Sequence, residues 1–237
     1  MTTADRTARR TASPGESAPG HSQVPAAGTA ARRRTQAERR GEAEQRLLGA
    51  ALEIVSRRGS ERMTLAEVGE AAGYSRGLPA HRFGSKDGLL RALAAHIGEL
   101  FAAQLAATAP TAPGLAAIRG HVRLYFSRNG RGWMTTRAML IMMAESLKDS
   151  SVLRDDFAAY NRSARAFFET HIAAGIEAGE IPADADPVTT SAILLGSFRG
   201  VMLQALIDKE IDLLRVRDRL LFIVERTLAR DPRDPRK

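Results

Sequence analysis

The 237-residue chain contains no cysteine, only one tryptophan and three tyrosines, and no long uninterrupted apolar run. The absence of cysteine excludes disulfides, cysteine nucleophiles and thiolate metal sites, and it is typical of a reducing cytoplasm. A membrane-spanning helix needs about 20 mostly apolar residues. The apolar stretches of this chain are shorter and interrupted by charge, so we expect a cytoplasmic protein without membrane segments.

The first 35 residues also lack an apolar run. They are rich in Ala, Thr, Ser, Pro, Gly and Arg, which predicts a disordered basic tail rather than a signal peptide. The tail ends in Arg32, Arg33 and Arg34. An arm of this kind either contacts a DNA minor groove or only strengthens non-specific attraction to DNA, and the sequence leaves both interpretations open.

Residue clusters that are typical of enzymes are missing as well. The five histidines do not have metal-ligand spacing, and the chain has neither a glycine-rich phosphate loop nor a GxSxG nucleophile elbow. We therefore predict a protein that is not an enzyme, without catalytic residues, bound metal or cofactor.

What the sequence does contain is a pair of short helical patterns hinged at a glycine, TLAEVGEAAGYSRGLPAHRF over residues 64–83. Thr64, with a glutamate three residues later, predicts a capping box for the first helix. Gly69 keeps the side chain small where a neighbouring helix approaches, and Gly73 ends the helix. Ser75 is the N-cap candidate of the second helix. This pattern is typical of a helix-turn-helix motif, although any compact helical hairpin needs the same features.

Basic charge is concentrated around this motif. Residues 32–91 hold thirteen Lys or Arg and eight Asp or Glu, which is a net +5 of the chain's +8. Basic groups that neutralise phosphates release counterions, so we expect salt-dependent DNA affinity, whereas base contacts set sequence choice. Charge alone is usually solvated surface. A non-specific DNA-binding or helical scaffold protein without a base-reading helix is therefore the alternative to a specific regulator.

The run from Gln45 to Leu93 resembles the N-terminal domain of TetR/AcrR-family transcriptional regulators. The similarity rests on LLGAALEIV in a first helix that ends at Arg58, on the helix-turn-helix pattern, and on the sequence FGSKDGLL that follows it. It implies a three-helix DNA-binding domain over residues 36–93. The DNA contacts that it implies are Thr64, Tyr74, Ser75, Arg76, Gly77, Leu78, Ala80, His81, Arg82 and Lys86.

Two positions of the predicted recognition helix depart from the family pattern. The family has an apolar residue and then commonly a tyrosine where this chain has Pro79 and Ala80. If Ser75 is the cap, Pro79 is the fourth helical residue and lacks the amide of the first regular intrahelical bond, so the helix is distorted or begins later. Ala80 removes a phenol that family members aim at a phosphate, which leaves His81 or Arg82 to supply contacts there.

Beyond residue 93 the pattern is helical throughout, without the alternation typical of strands. We predict an all-α chain of about nine helices, the later ones at residues 86–108, 114–127, 134–148, 153–178, 187–208 and 212–229. Residues 94–237 would then form one helical domain that shares its first helix with the DNA-binding domain. The resemblance implies that this domain binds an effector and dimerises.

The last two helices have the pattern of a packing seam. The helix over residues 187–207 is apolar on nearly all sides, which predicts burial on several sides. Small residues recur every four positions along one ridge, at Ala192, Gly196 and Gly200. Close helix approach would offset the cost of about 1 kcal/mol for each mid-helix glycine. The next helix continues the seam with Leu213, Leu220 and Ile223. An intramolecular core explains this pattern equally well, whereas the resemblance favours a homodimer on a palindromic operator.

Aromatic and methionine side chains concentrate in the middle of the chain, where they form either a plain core or an adaptable apolar pocket. The resemblance favours a pocket for an apolar or amphipathic small molecule that weakens DNA binding. We assign to it His121, Tyr125, Trp133, Met139, Met142, Phe157, Phe168 and His171, with Arg137 and Glu145 as further candidates for its polar end. The resemblance thus implies a ligand-responsive regulator, most often a repressor.

Overall fold

This computed structural model describes residues 35–107, 112–127 and 133–230. The described residues form nine helices and no strand. The helices are α1 (Gln36–Arg58), α2 (Leu65–Ala71), α3 (Leu78–Phe83), α4 (Lys86–Ala106), α5 (Leu115–Tyr125), α6 (Met134–Glu145), α7 (Arg154–Glu177), α8 (Pro187–Ile207) and α9 (Leu213–Leu228). The all-α prediction is confirmed. The predicted N-terminal tail through Arg34, including its three arginines, lies outside the described residues.

Side-chain caps begin four of these helices. The hydroxyls of Thr64 and Ser85 each accept a hydrogen bond from the amide three residues later, at 3.3 and 3.1 Å. The carboxylates of Asp186 and Asp212 each accept from two amides in the first turns of α8 and α9. Each cap satisfies amides that have no intrahelical partner, so the sequence itself defines where these helices start.

The N-terminal core is formed by aliphatic side chains of α1, α2 and α4 together with residues of α6 and α7. Met142 of α6 and Phe157 of α7, which we predicted to line a ligand pocket, are only 0% and 4% exposed in this core. Met142 lies there because α6 packs directly against α1, and Phe157 lies there because α7 packs against α4. Helix α6, predicted to belong to the second domain, is therefore also part of the core of the first.

The C-terminal core lies between α5, α7, α8 and α9, around the fully buried rings of Phe126, Phe168 and Phe198. Helix α4 extends from the helix-turn-helix into this half of the molecule and packs against α6 and α7. The domain boundary that we placed after residue 93 thus falls inside a continuous helix.

Two helices, α4 and α8, are long and apolar enough to cross a membrane by length and composition. This differs from the expectation of no such segment. Both helices pack within the bundle, α4 against α1, α3, α6 and α7, and α8 against α6 and α7. We therefore interpret them as bundle helices of the fold.

Candidate DNA-reading surface and effector cavity

Gly69 of α2 lies close to the turn that precedes α3 and to the first turn of α3. A Cβ atom on this residue would lie 2.5 Å from the carbonyl oxygen of Ser75 and 3.2 Å from Cδ of Pro79. Gly73 provides the turn with a left-handed backbone at φ +78°, a conformation that costs glycine little. The structure confirms that Gly69 must lack a side chain because the motif folds back on it.

The recognition helix α3 begins later than it would with Ser75 as its cap, which is one of the two outcomes that the sequence left open for Pro79. Its N-cap is Gly77 rather than Ser75, and the Ser75 carbonyl instead accepts from the amide of Leu78 at 3.1 Å. Pro79 is therefore the second helical residue, a position whose amide has no intrahelical acceptor in any case. The prediction of Ser75 as the cap was wrong, and the proline is accommodated without loss of a regular bond.

The predicted DNA contacts divide into exposed and half-buried residues. The exposed ones are Thr64, Ser75, Arg76, Gly77, Ala80, His81 and Arg82. Tyr74, Leu78 and Lys86 are half-buried, and the first two pack against the N-terminal core. Tyr74 and Leu78 therefore serve mainly to pack the motif. The side chains most accessible to DNA are those of the exposed residues.

Two of the exposed arginines already have acidic partners within the chain. Arg76 forms an ion pair with Glu70 of α2, and Arg82 forms one with Glu44 of α1. The sequence pattern did not reveal these partners. The Arg82 pair joins residues 38 positions apart, and such a pair depends on how α2 and α4, which both contact α1 and α3, position these two helices. The pairs hold both guanidinium groups at the surface of the motif.

The C-terminal end of α6 contacts the loop between α1 and α2. The Glu145 carboxylate accepts from the backbone amide of Ser60 at 3.0 Å and also from its hydroxyl. Beside it, Lys148 forms an ion pair with Glu61, whose carbonyl accepts from Lys86 Nζ at 2.6 Å. Glu145, considered from the sequence for the polar end of an effector, instead binds the DNA-binding domain.

A cavity of about 360 Å³ lies between helices α4 to α8. It contains five residues predicted for the pocket, which are His121, Tyr125, Trp133, Met139 and Phe168. Its lining also includes residues that we did not predict, among them Phe101, Gln104, Tyr160, Phe167 and Arg199. The volume and the mostly apolar lining are those of a small-molecule site.

Three of the residues predicted for the pocket do not line the cavity: Met142, Phe157 and His171. The His171 ring packs against Phe167, with the ring centroids 4.5 Å apart. It therefore supports the cavity wall from behind a lining residue. Sequence spacing could not show this, because the rotation of α7 about its axis decides which side chains point inward.

The main polar groups of the cavity, on His121, Tyr125 and Arg199, belong to half-buried residues. The guanidinium of Arg199 donates from Nη1 to Asn161 Oδ1 at 2.7 Å and lies 5.6 Å from the centroid of the Tyr160 ring. Burial raises the pKa of Tyr125 and lowers that of Arg199. Burial, with a smaller contribution from His171, lowers the pKa of His121 from its ordinary value of 6.5 to about 4. At neutral pH the cavity thus holds neutral imidazole and phenol groups and one cation.

One signal in the sequence could have identified Arg199. It is the only charged residue between Pro187 and Ile207. A lone charge in an otherwise apolar helix usually marks a functional or paired group. We missed it because α8 was interpreted as a helix for dimer contacts only.

Helix α8 is buried along one side and exposed along another. Ala192 and Gly196 are exposed, and Cβ atoms on Gly196 or Gly200 would have no described atom within 4 Å. The exposed apolar side chains of α8 and α9 include Val188, Ile193, Leu203, Ile207, Leu214, Phe222 and Ile223. Leu213 and Leu220, also predicted for the seam, are half-buried against the chain's own C-terminal core. Burial of α8 on several sides, expected from its composition, is not found within a single chain.

An all-helical bundle with an exposed, arginine-bearing helix-turn-helix at its N-terminal end defines the class of helical DNA-binding transcriptional regulators. Residues 47–93 match the model of bacterial regulatory proteins of the TetR family, and residues 113–230 match the C-terminal domain of BetI-type transcriptional repressors. The chain belongs to the TetR family of transcriptional regulators.

Solved structures share this fold at low sequence identity. A TetR regulator from Chloroflexus aurantiacus is 20% identical, with a TM-score of 0.71, and the match covers 81% of this chain and 100% of that one. A regulator from Saccharomonospora viridis in complex with choline is 20% identical, with a TM-score of 0.67 and coverage of 81% and 100%. AibR in complex with isovaleryl coenzyme A and operator DNA is 20% identical, with a TM-score of 0.60 and coverage of 76% and 97%. Comparison with curated protein sequences gives no match.

Proposed function

We propose that this DNA-binding regulator is a ligand-responsive repressor of the cytoplasm that acts as a homodimer on a palindromic operator. The observation that carries the proposal is a single helix, α6, that lines the cavity at its N-terminal end and binds the loop before the helix-turn-helix at its C-terminal end. The AibR structure, with isovaleryl coenzyme A and operator DNA, supports the proposal because one regulator of this fold binds both kinds of partner.

The exposed apolar face of α8 and α9 supports the homodimer. Monomeric soluble proteins rarely expose large contiguous apolar patches, and a two-fold axis would bring this face against itself. The small residues Ala192, Gly196 and Gly200 would let two α8 helices approach closely. Such a dimer presents two recognition helices to one palindromic site.

Arg76→Ala and Arg82→Ala should each weaken operator binding by about 1 to 3 kcal/mol without unfolding the protein, because both arginines are exposed on the motif. Fluorescence anisotropy with a labelled operator duplex would measure the effect. Arg154→Ala is the matched control, since Arg154 is an exposed arginine paired with Asp149 outside the motif. Wild-type affinity in both test variants would contradict the assignment of α3 as the recognition helix.

The operator itself is obtained by selecting bound fragments from random duplex DNA with the purified protein at about physiological salt, where non-specific binding is weak. Recovery of a palindrome supports a dimeric, sequence-specific regulator. Recovery of DNA without a common motif supports instead the non-specific DNA-binding or scaffold alternative.

Glu145→Gln should reduce the effect of an effector on DNA binding while leaving effector affinity unchanged. The substitution removes the charge that accepts the two hydrogen bonds from Ser60, and Glu145 does not line the cavity. Typical coupling free energies are about 1 to 3 kcal/mol, so we expect the effector-induced change in operator Kd to fall severalfold. Operator titrations with and without effector measure it, and an unchanged ratio of the two Kd values would show that this contact does not transmit the signal.

A further inference from the structure

Arg199 is a half-buried cation, and the described residues that line its cavity include no anionic partner for it. Its Nη2 atom is buried and has no hydrogen-bond partner in the described part of the chain, and the same is true of the Tyr125 hydroxyl. Both residues line the cavity. None of the described residues that line it is an aspartate or a glutamate.

A buried charge of this kind is unfavourable unless it is paired. Deprotonation does not remove this unfavourable free energy, because the arginine guanidinium stays protonated in proteins. Asn161 supplies one neutral acceptor to Nη1, which satisfies a hydrogen bond but does not balance the charge. No described residue that lines the cavity supplies a counterion, and the cavity has the volume to admit a small molecule that carries one.

The aromatic lining would by itself also suit a quaternary ammonium ligand, because aromatic rings attract cations. In this cavity the Arg199 guanidinium already lies over one of the rings, that of Tyr160. A second cation would be repelled by Arg199 and would find no carboxylate in the described lining. The choline complex of the Saccharomonospora viridis relative therefore does not transfer to this chain.

We propose that the cavity binds an organic monocarboxylate with an apolar aromatic or aliphatic body, whose carboxylate accepts hydrogen bonds from Arg199 Nη2 and the Tyr125 hydroxyl. The single positive charge of the Arg199 guanidinium is balanced by the single negative charge of a monocarboxylate. The planar arrangement of the guanidinium N–H groups also suits hydrogen bonds to a carboxylate. The body of the ligand contacts the rings of Phe101, Phe167 and Trp133. The inference rests on the proposed effector function of this same cavity.

The test uses two probes of the same shape on the full-length protein, the anion 4-phenylbutyrate and the neutral 4-phenylbutan-1-ol, together with choline as a smaller, cationic probe. Isothermal titration calorimetry should show that the carboxylate binds about 10-fold or more tightly than the alcohol, as expected for a hydrogen bond to a charged group. The cation should bind more weakly than either. Equal affinities, a preference for choline, or no binding of the carboxylate would overturn the proposal.

Arg199→Met should remove the preference for the carboxylate and leave the affinity for the alcohol nearly unchanged. Arg199→Lys should restore part of the preference, because it keeps the charge without the planar fork. Arg123→Met is the control, since Arg123 is exposed on α5 and does not line the cavity. If the Arg199 variants fail to fold, Tyr125→Phe replaces them, with a severalfold loss of carboxylate affinity expected. A preference for the carboxylate that survives these changes would overturn the assignment.

The same probes are added to the operator complex to separate this inference from the proposed function. Binding of 4-phenylbutyrate without release of DNA would support the proposal that the cavity binds a monocarboxylate. The same result would contradict the proposal that a ligand in this cavity acts as an effector. Release of DNA by choline, with no response to the carboxylate, would support the effector role and overturn the ligand class.

Discussion

Gly69→Ala is expected to weaken specific operator binding strongly while the rest of the bundle stays folded. The new Cβ would lie 2.5 Å from the backbone oxygen of Ser75 and 3.2 Å from the Pro79 ring, so the turn and the start of α3 must move away from α2. Overpacking of this kind costs about 1 to 3 kcal/mol. The displaced backbone belongs to the segment that carries Arg76, and we therefore expect operator affinity to fall at least about 10-fold.

The matched control is Gly49→Ala in α1, where an added Cβ would have no described atom within 4 Å. That substitution should stabilise the protein slightly, because alanine favours a helix by about 1 kcal/mol over glycine. Thermal unfolding followed by circular dichroism and operator titration would be measured for both variants. Normal operator affinity in the Gly69 variant would show that the close approach of α2 and α3 is not needed for DNA reading.

Ile193→Asp is expected to dissociate the proposed homodimer. Ile193 is 63% exposed on α8, next to Ala192 and near Gly196. Two-fold symmetry would place two new carboxylates in one apolar interface, where a buried ion without a partner is strongly unfavourable. A residue at the centre of an interface contributes about 2 kcal/mol or more, so dimerisation should weaken by roughly 30-fold or more.

Leu147→Asp is the control for this change. Leu147 is 79% exposed, more than Ile193, but it follows α6 and lies away from α8 and α9 in the chain. Sedimentation equilibrium would give the oligomeric state, and gel-shift titration would give operator affinity. We expect the Ile193 variant to be monomeric with weak operator binding and the Leu147 variant to resemble wild type. A stable dimer in both would exclude this α8 face as the interface.

The features that the sequence predicted well are those determined by neighbouring residues. Thr64 and Ser85 cap helices through bonds to amides three residues away, and Gly69 and Gly73 form a turn within a few positions. These interactions are visible in a short stretch of sequence. Helix number, helix order and the helix-turn-helix could therefore be predicted before the structure was known.

The composition of the cavity could not be predicted in the same way, because it depends on helices that are distant in sequence. Phe157 and Phe168 lie on the same helix, yet the first packs in the N-terminal core and the second lines the cavity. Arg199 reaches the cavity from α8, a helix whose pattern also suits an interface. The late start of α3 has a simpler cause: a proline is favoured in the first turn of a helix, so Pro79 was itself the evidence against Ser75 as the cap.

The arginines of the helix-turn-helix are not bare charges in the free protein. Glu70 forms an ion pair with Arg76, and Glu44 forms one with Arg82. Their carboxylates thus bind the guanidinium groups that a DNA phosphate would otherwise bind. Binding of DNA through these arginines is then an exchange of one anion for another, and salt weakens both sides of that exchange. Because both pairs are exposed, each contributes only about 0 to 1 kcal/mol. The glutamates are therefore weak intramolecular competitors of the DNA phosphates for these two arginines.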